Sequence, residues 1–366
     1  MEMKIETRTL LGPGPSGVHP RVLQALGYPL IGHLDPQFLE LMNNVQEMLR
    51  YVFQTENKLT IPVSGTGSAS MEAAVCNFVE PGDSVLICVN GYFGERLCDM
   101  AGRYGAEVRR LDRTWGEVFT LEEVKAALEE KPAKVVMMVH AETSTGARQP
   151  LEGMSDLVHS YGGLFLVDCV TSLGGVPLKI DDWGIDIAYS GTQKCLSVPP
   201  GLGPITVNSR AQGVLDSRKT KVPNWYLDLS MVGKYWGSER TYHHTAPISM
   251  NYALYEGLKM VVEEGLEARW ARHLANAKLL WDGLESLGLK LVVPEAYRLP
   301  SLTTVYVPEG VDDAAVRGRL LRDYNIEIAG GLGIFKGKAW RIGLMGYSSQ
   351  PQNVLMLLGA LKEILG

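Results

Sequence analysis

The residues best suited to chemistry lie in 186–204, DIAYSGTQKCLSVPPGLGP, where a short apolar run passes through small residues into Gln193 and Lys194. The run IDIAYS reads as a strand, so Lys194 follows its carboxyl end, where α/β proteins bind ligands in the crevice outside the sheet. An amine that is partly desolvated has a lowered pKa and acts as a nucleophile able to form Schiff bases. A lone loop lysine is otherwise an ordinary surface charge, so its neighbours decide. The prolines and glycines after Lys194 make a stiff loop that holds it in place. Asp168 ends the run LFLVD, and a carboxylate after four apolar residues is poor surface design; a helix N-cap is the alternative. SGTGS (64–68) follows one strand and opens a helix, which offers backbone N–H groups and a helix N-terminus to a phosphate; alone it is equally a strand-to-helix turn. Arg341 in AWRIGLMG offers a guanidinium fork to a carboxylate, with a surface strand arginine as the alternative.

The elements that must carry these residues alternate along the chain. Apolar runs at 59–64, 84–89, 134–140, 164–168 and 185–190 are separated by helical periods that begin at Thr66, near Gly94 and at Leu151. Runs apolar on both faces with helices between them predict an α/β architecture, a largely parallel sheet covered on both sides. From about residue 245 the pattern changes to a long helical stretch, strand-like LKLVVP and TTVYVP, the helix VDDAAVRGRLLRDY, the strand WRIGLMG and a closing helix. The expected organisation is an N-terminal arm over 1–20, a large domain over 21–255 and a smaller α+β domain over 256–366. The opening LGPGPSGVHP holds too much Gly and Pro for regular structure and is expected to lie extended over something else.

With 366 residues, 46% hydrophobic and 21% charged, the chain buries a sizeable core and resembles an ordinary globular protein. Its net charge of -6 and lack of a basic block argue against nucleic acid or an anionic membrane surface as partners. The five cysteines show no CxxC pair and are expected to be free and buried; the seven histidines show no metal spacing, and His243 and His244 are expected to point apart on a strand. No apolar stretch approaches the ~18 residues of a membrane span. The N-terminus lacks an apolar leader and the C-terminal KEILG is not a peroxisomal signal, so a cytoplasmic location is expected.

The lysine segment is similar to that of the class V pyridoxal-phosphate (PLP) aminotransferases: small residues, Gln-Lys, a six-residue spacer, then Gly-x-Gly. The likeness runs through nearly the whole chain in order: GPGPS, YVFQT, SGTGS, EPGD, NGYFGER, STG, VDCVTSLGG, SRKTK, YHHT, RLPSLTTV, IEIAGGLG and RIGLMG. It looks closest to the alanine–glyoxylate and serine–pyruvate group. The resemblance implies fold type I of the PLP-dependent transferases, with the cofactor carried by Lys194 and Asp168 at the pyridine nitrogen, where a protonated ring acts as electron sink. It further implies that Thr66, Gly67, Ser68 and Gln193 cradle the phosphate. Val170 and Phe93 then cover the ring faces, Phe93 standing where the family often has Trp and keeping the flat face without the indole N–H. Thr143, commonly Ser in the family, is placed near the phenolic oxygen. Arg341 takes the substrate α-carboxylate, and Tyr242 and Thr245 reach the phosphate of a neighbouring subunit, which implies a homodimer with shared sites.

Small amino and keto acids are the implied substrates, with alanine or serine as donor and glyoxylate or pyruvate as acceptor. A cysteine desulfurase shares the fold but resembles the chain less, since that group has His in place of Phe93 and Gln193 and needs a cysteine on a mobile loop. A dinucleotide-binding protein is a third reading, weakened because SGTGS lacks the GxGxxG spacing. The ureidoglycine–glyoxylate branch is a close rival; it tends to carry amide side chains where this chain has His33 and Tyr242.

Overall fold

The computed structural model describes residues 4–366, and the first three residues of the expected arm lie outside it. Seven strands form the main sheet, in the spatial order Leu59–Ser64, Leu202–Val207, Ile187–Tyr189, Leu164–Asp168, Val135–Val139, Ser84–Val89 and Glu107–Asp112. Leu202–Val207 runs antiparallel to both neighbours, and the other pairings are parallel. The inner strands LFLVD and VVMMV are buried at every position, the mark of a parallel sheet covered on both faces. Two strands escaped the sequence reading. Glu107–Asp112 (EVRRLD) is an edge strand whose charges hide its apolar periodicity and blunt the open edge. Leu202–Val207 contains Gly203 and Pro204, which argue against a central strand; Pro204 stands opposite Pro62, so the missing N–H groups coincide at one rung.

The remaining elements build a second core. Leu302–Tyr306, Ala339–Gly343 and Ala329–Gly330 form a small antiparallel sheet, backed by the helices Asp313–Tyr324 and Pro351–Leu365. One apolar cluster gathers residues between Val22 and Leu266, and another joins Leu11 to residues between Ala277 and Leu361. The long helical stretch is two helices, Ile248–Glu264 and Leu266–Ser286, because Gly265 takes φ 79°, which ends the first. The 255/256 boundary expected from sequence falls inside the first of them. LKLVVP forms an isolated bridge, Leu291 to Val305, instead of a strand. The first strand of the arm is Thr9–Leu10, paired in parallel with Ile326–Glu327. No helix among the described residues is long and apolar enough to cross a membrane.

Helix Ile248–Glu264 crosses the loop after Lys194 at Gly257, where an added Cβ would meet Val198 Cγ2 at 2.3 Å and Leu196 O at 3.4 Å. Alanine is the better helix former, so propensity alone favours the substitution. Overpacking decides the sign: Gly257→Ala is expected to lower stability by about 1–3 kcal/mol, read as a fall in the urea midpoint. An unchanged or raised midpoint contradicts this packing.

Candidate active site

The chemistry-bearing residues gather at the carboxyl ends of the parallel strands. Val139, Asp168 and Tyr189 lie in one register across three neighbouring strands. After Tyr189 the chain turns through residues 190–201 and returns as the antiparallel strand. The turn is internally braced: Thr192 Oγ1 donates to Pro199 O (2.9 Å), Val198 N–H to Thr192 O (3.1 Å) and Ser197 N–H to Lys194 O (3.0 Å). Arg269 adds a bond from outside, Nη2 to Cys195 O at 2.5 Å. These contacts hold the backbone beside Lys194.

Lys194 is 8% exposed, and burial together with the charge of Arg341 brings its amine down to about 8. Its Nζ donates to the carbonyl of Pro13, in the arm. Asp168 is buried and, through desolvation, is raised to about 6, against hydrogen bonds that favour the charged form. Val170 N–H donates to Oδ1 at 2.9 Å and Tyr189 O–H to Oδ2 at 2.7 Å. A carboxylate has about four acceptor positions, so one further donor fits.

Lys194 and Asp168 line one cavity of about 160 Å³ together with Gly67, Ser68, Phe93, Val170 and Gln193. Gly67 opens the helix Gly67–Phe78; its missing side chain lets the helix start approach Gly191, where a Cβ would stand 3.3 Å from Cα. Thr66 is the N-cap, exposed, with no capping bond from its side chain, so its hydroxyl is available. Gln193 Oε1 is buried with no hydrogen-bond partner. Its amide lines the cavity beside the helix start, and the two N–H donors of such a group are the part that suits an anion there.

Arg341 sits on the strand Ala339–Gly343, 7% exposed, where burial lowers its pKa to about 10. Nε donates to Gly330 O at 2.9 Å and Nη1 to Thr143 O at 3.3 Å, leaving part of the fork open. The same Thr143 is buried, with Oγ1 2.5 Å from Thr171 Oγ1. Tyr242 and Thr245 are not in the cavity: Tyr242 is 58% exposed with its ring 5.2 Å from that of His33, and Thr245 is exposed. The segment does pass the start of its own cradle, since His244 Nε2 lies 2.7 Å from Ser64 Oγ. His243 and His244 lie in a loop, not a strand, and their Nδ1 atoms are 2.8 Å apart instead of pointing away.

Three participants were missed in the sequence. Tyr189 looked like another apolar strand position, and only the register sets its hydroxyl on Asp168. Arg96, one turn after Phe93, places its guanidinium 4.8 Å from that ring and donates to Ser68 Oγ at 3.4 Å; the i, i+3 spacing on a helix was its available signal. Glu142 is fully buried, accepting from Ser144 N–H (2.9 Å), Ser144 Oγ (2.6 Å) and Phe93 N–H (3.2 Å). Gly91 makes room for it, since a Cβ there would be 2.2 Å from Glu142 Cγ.

Desolvation raises Glu142 from 4.5 to about 7, with the Asp168 charge adding to it. A raised folded-state pKa stabilises the protonated form. That stability is whole below pH 4.5 and is lost as the pH rises through about 7. Glu142→Gln cannot ionise, and it is expected to gain on the parent by ~3 kcal/mol between acid and mildly alkaline pH. Urea midpoints of both proteins across that range check this; parallel curves oppose it.

Residues 23–350 match the family model Aminotransferase class-V. The solved alanine–glyoxylate aminotransferase from Nostoc sp. is 57% identical, with a TM-score of 0.99, covering 100% of this chain and 97% of that one. The (S)-ureidoglycine–glyoxylate transaminase of Bacillus subtilis is 41% identical over 100% of this chain and 92% of its own. The alanine–glyoxylate aminotransferase of Callithrix jacchus is 44% identical over 99% of this chain and 89% of its own. A family match over most of the chain, joined to a buried lysine and aspartate in one cavity, means that the protein belongs to the class V aminotransferases and is a PLP-dependent enzyme.

Proposed function

We propose that this aminotransferase moves an amino group from alanine or serine to glyoxylate or pyruvate, in two half-reactions that share one site. The observation that carries the reading is the pairing of a desolvated Lys194 amine with the buried Asp168 carboxylate in a single cavity. PLP, when bound, supplies the electron sink that stabilises a carbanion at the substrate α-carbon. Asp168 would balance its protonated ring nitrogen, and the hydrogen bonds from Val170 and Tyr189 orient the carboxylate. Thr66, Gly67, Ser68 and Gln193 would hold the phosphate with the helix N-terminus behind them, and Arg96 adds positive charge beside Ser68. Phe93 and Val170, which line the cavity, would cover the ring, and Thr143, whose carbonyl accepts from Arg341 Nη1, would stand near the phenolic oxygen. Lys194 would carry the cofactor and, once its amine is free, would move the α-proton; an amine brought down to about 8 suits a base that must also return the proton.

Arg341 binds the α-carboxylate that every donor and acceptor carries. His33 and Tyr242, neighbours at positions where an amide pair would suit a ureido group, favour alanine or serine over ureidoglycine. Initial rates with alanine, serine and (S)-ureidoglycine against glyoxylate, pyruvate and 2-oxoglutarate test this choice. Alanine or serine with glyoxylate is expected to give the highest kcat/KM; a clear preference for ureidoglycine or 2-oxoglutarate rejects it. In the same assay Arg341→Lys, which keeps the charge and loses the fork, is expected to raise KM for donor and acceptor alike by about tenfold or more, one or two lost hydrogen bonds to a charge, with PLP content unchanged.

We propose further that the enzyme is a homodimer in which Tyr242 and Thr245 complete the partner's phosphate site. Their exposure and their absence from the lining of their own subunit's cavity support this, since exposed Tyr242, Trp225 and Tyr226 are costly surface for a lone subunit. Lys194→Ala and Tyr242→Phe/Thr245→Ala are each expected to be impaired. Mixed under subunit exchange, they should regain activity, because one site of each hybrid carries neither defect. A monomeric active protein, or exchange without recovery, refutes the shared site.

A further inference from the structure

The arm comes closer to the lysine than its position in the sequence suggests. Lys194 Nζ donates to Pro13 O, and a Cβ on Gly14 would stand 2.8 Å from both Cδ and Nζ of that lysine. The segment is fastened on both sides of this contact. Toward the small sheet, Leu11 N–H donates to Glu327 O (2.8 Å), and Leu11 O accepts from Gly343 N–H (2.8 Å), two residues beyond Arg341. Gly343 has no room for a side chain, because a Cβ would lie 2.0 Å from Gly12 O. Toward the lysine loop, Ser16 N–H donates to Gln193 O (2.9 Å), and Ser16 Oγ donates to Lys194 O (2.7 Å) and lies 3.1 Å from Ser197 Oγ. Gly17 N–H donates to Ser348 Oγ at 2.8 Å. The strap therefore spans from the strand of Arg341 to the backbone of Lys194 itself.

We propose that the Pro13 carbonyl is the resting acceptor of the Lys194 amine: whenever that amine is free of the cofactor, the strap Leu11–Ser16 holds it in place beside the cavity that Lys194 lines. A lysine carries its amine on a flexible four-carbon stem, while proton transfer needs the heavy atoms about 2.6–3.2 Å apart. A fixed acceptor for the amine shortens that search. The choice of acceptor matters as well. A carboxylate there would lock the amine as ammonium, whereas a carbonyl accepts a hydrogen bond and leaves the amine free to lose its proton. Pro13 and Gly14 are thus positioning residues for the base, acting through backbone and absence of bulk.

The proposal rests on Lys194 being the cofactor-bearing lysine, and one control separates the two. Borohydride reduction of the wild-type holoenzyme with peptide mapping is expected to find the pyridoxyl group on Lys194; finding it on another lysine overturns that assignment and the proposal with it. The test itself uses holoenzyme converted by alanine to the form in which Lys194 is free, then cleared of small molecules. Acetylation by a limiting N-hydroxysuccinimide ester is followed at the Lys194 peptide against exposed Lys125. Gly14→Ala pushes the strap off the lysine, and Ser16→Ala loosens it without adding bulk, so the second decides if the first fails to fold. Both are expected to raise the relative labelling of Lys194 several-fold and to enlarge the isotope effect with α-deuterated alanine, at unchanged cofactor content. Wild-type labelling rates and an unchanged isotope effect in a folded variant overturn the strap while leaving the role of Lys194 standing.

Discussion

Burying an amine and two carboxyls around one small cavity is the constraint on which the other features depend. Desolvation disfavours each charge, and it moves Lys194, Asp168 and Glu142 toward neutrality in opposite senses. Water would relieve all three shifts, so the site works only while its walls exclude it. Strand residues Asp168 and Tyr189 line the cavity together with the start of helix Gly67–Phe78, and the arm closes on Lys194 through Pro13 and Gly14. Arg341 and Arg96 supply positive charge at the rim, where partial exposure or backbone carbonyl partners make a cation tolerable.

The fold meets this constraint through backbone hydrogen bonds more than through side-chain pairs. Asp168 and Tyr189 face each other because their strands are in register, and the aspartate needs no separate positioning device. Helix Leu266–Ser286 reaches both halves of the site: Arg269 bonds Cys195 O, Arg272 bonds Gly346 O and Ser349 O, and His273 Nε2 accepts from Gly346 N–H. Glu264 neutralises both arginines, at 2.6 Å from each. The loop of Lys194 and the turn after the Arg341 strand are therefore held by one helix, which keeps amine and guanidinium in a fixed relation.

How much of this was legible in the sequence varied with the physics of each part. Lys194 and Asp168 stood out as charges closing apolar runs, and Arg341 as one set inside such a run, where a charge has few structural reasons to be. Five strands and the helix capped by Thr66 followed from periodicity. The proline-bearing strand Leu202–Val207 did not, since its tolerance depends on Pro62 across the ladder. Glu142 and Tyr189 act through neighbours distant in the chain, so no spacing announces them. The contact of Pro13 with Lys194 joins residues 181 positions apart, and only the folded chain brings them together. The adjacent histidines were misjudged because a loop was taken for a strand, and loops impose no alternation.

The reversal of Leu202–Val207 against its neighbours has a consequence for how such an enzyme tolerates change in length. The lysine turn begins and ends on adjacent strands of one sheet, so residues 190–201 form a closed circuit anchored at both ends. An inserted residue has no slack to absorb it and displaces the amine directly. The stretch 218–224 is largely exposed, lies between two helical elements and bonds mainly to its neighbour Glu80 and to main-chain carbonyls. Insertions, tags and grafted segments belong there, where added length is paid out into solvent.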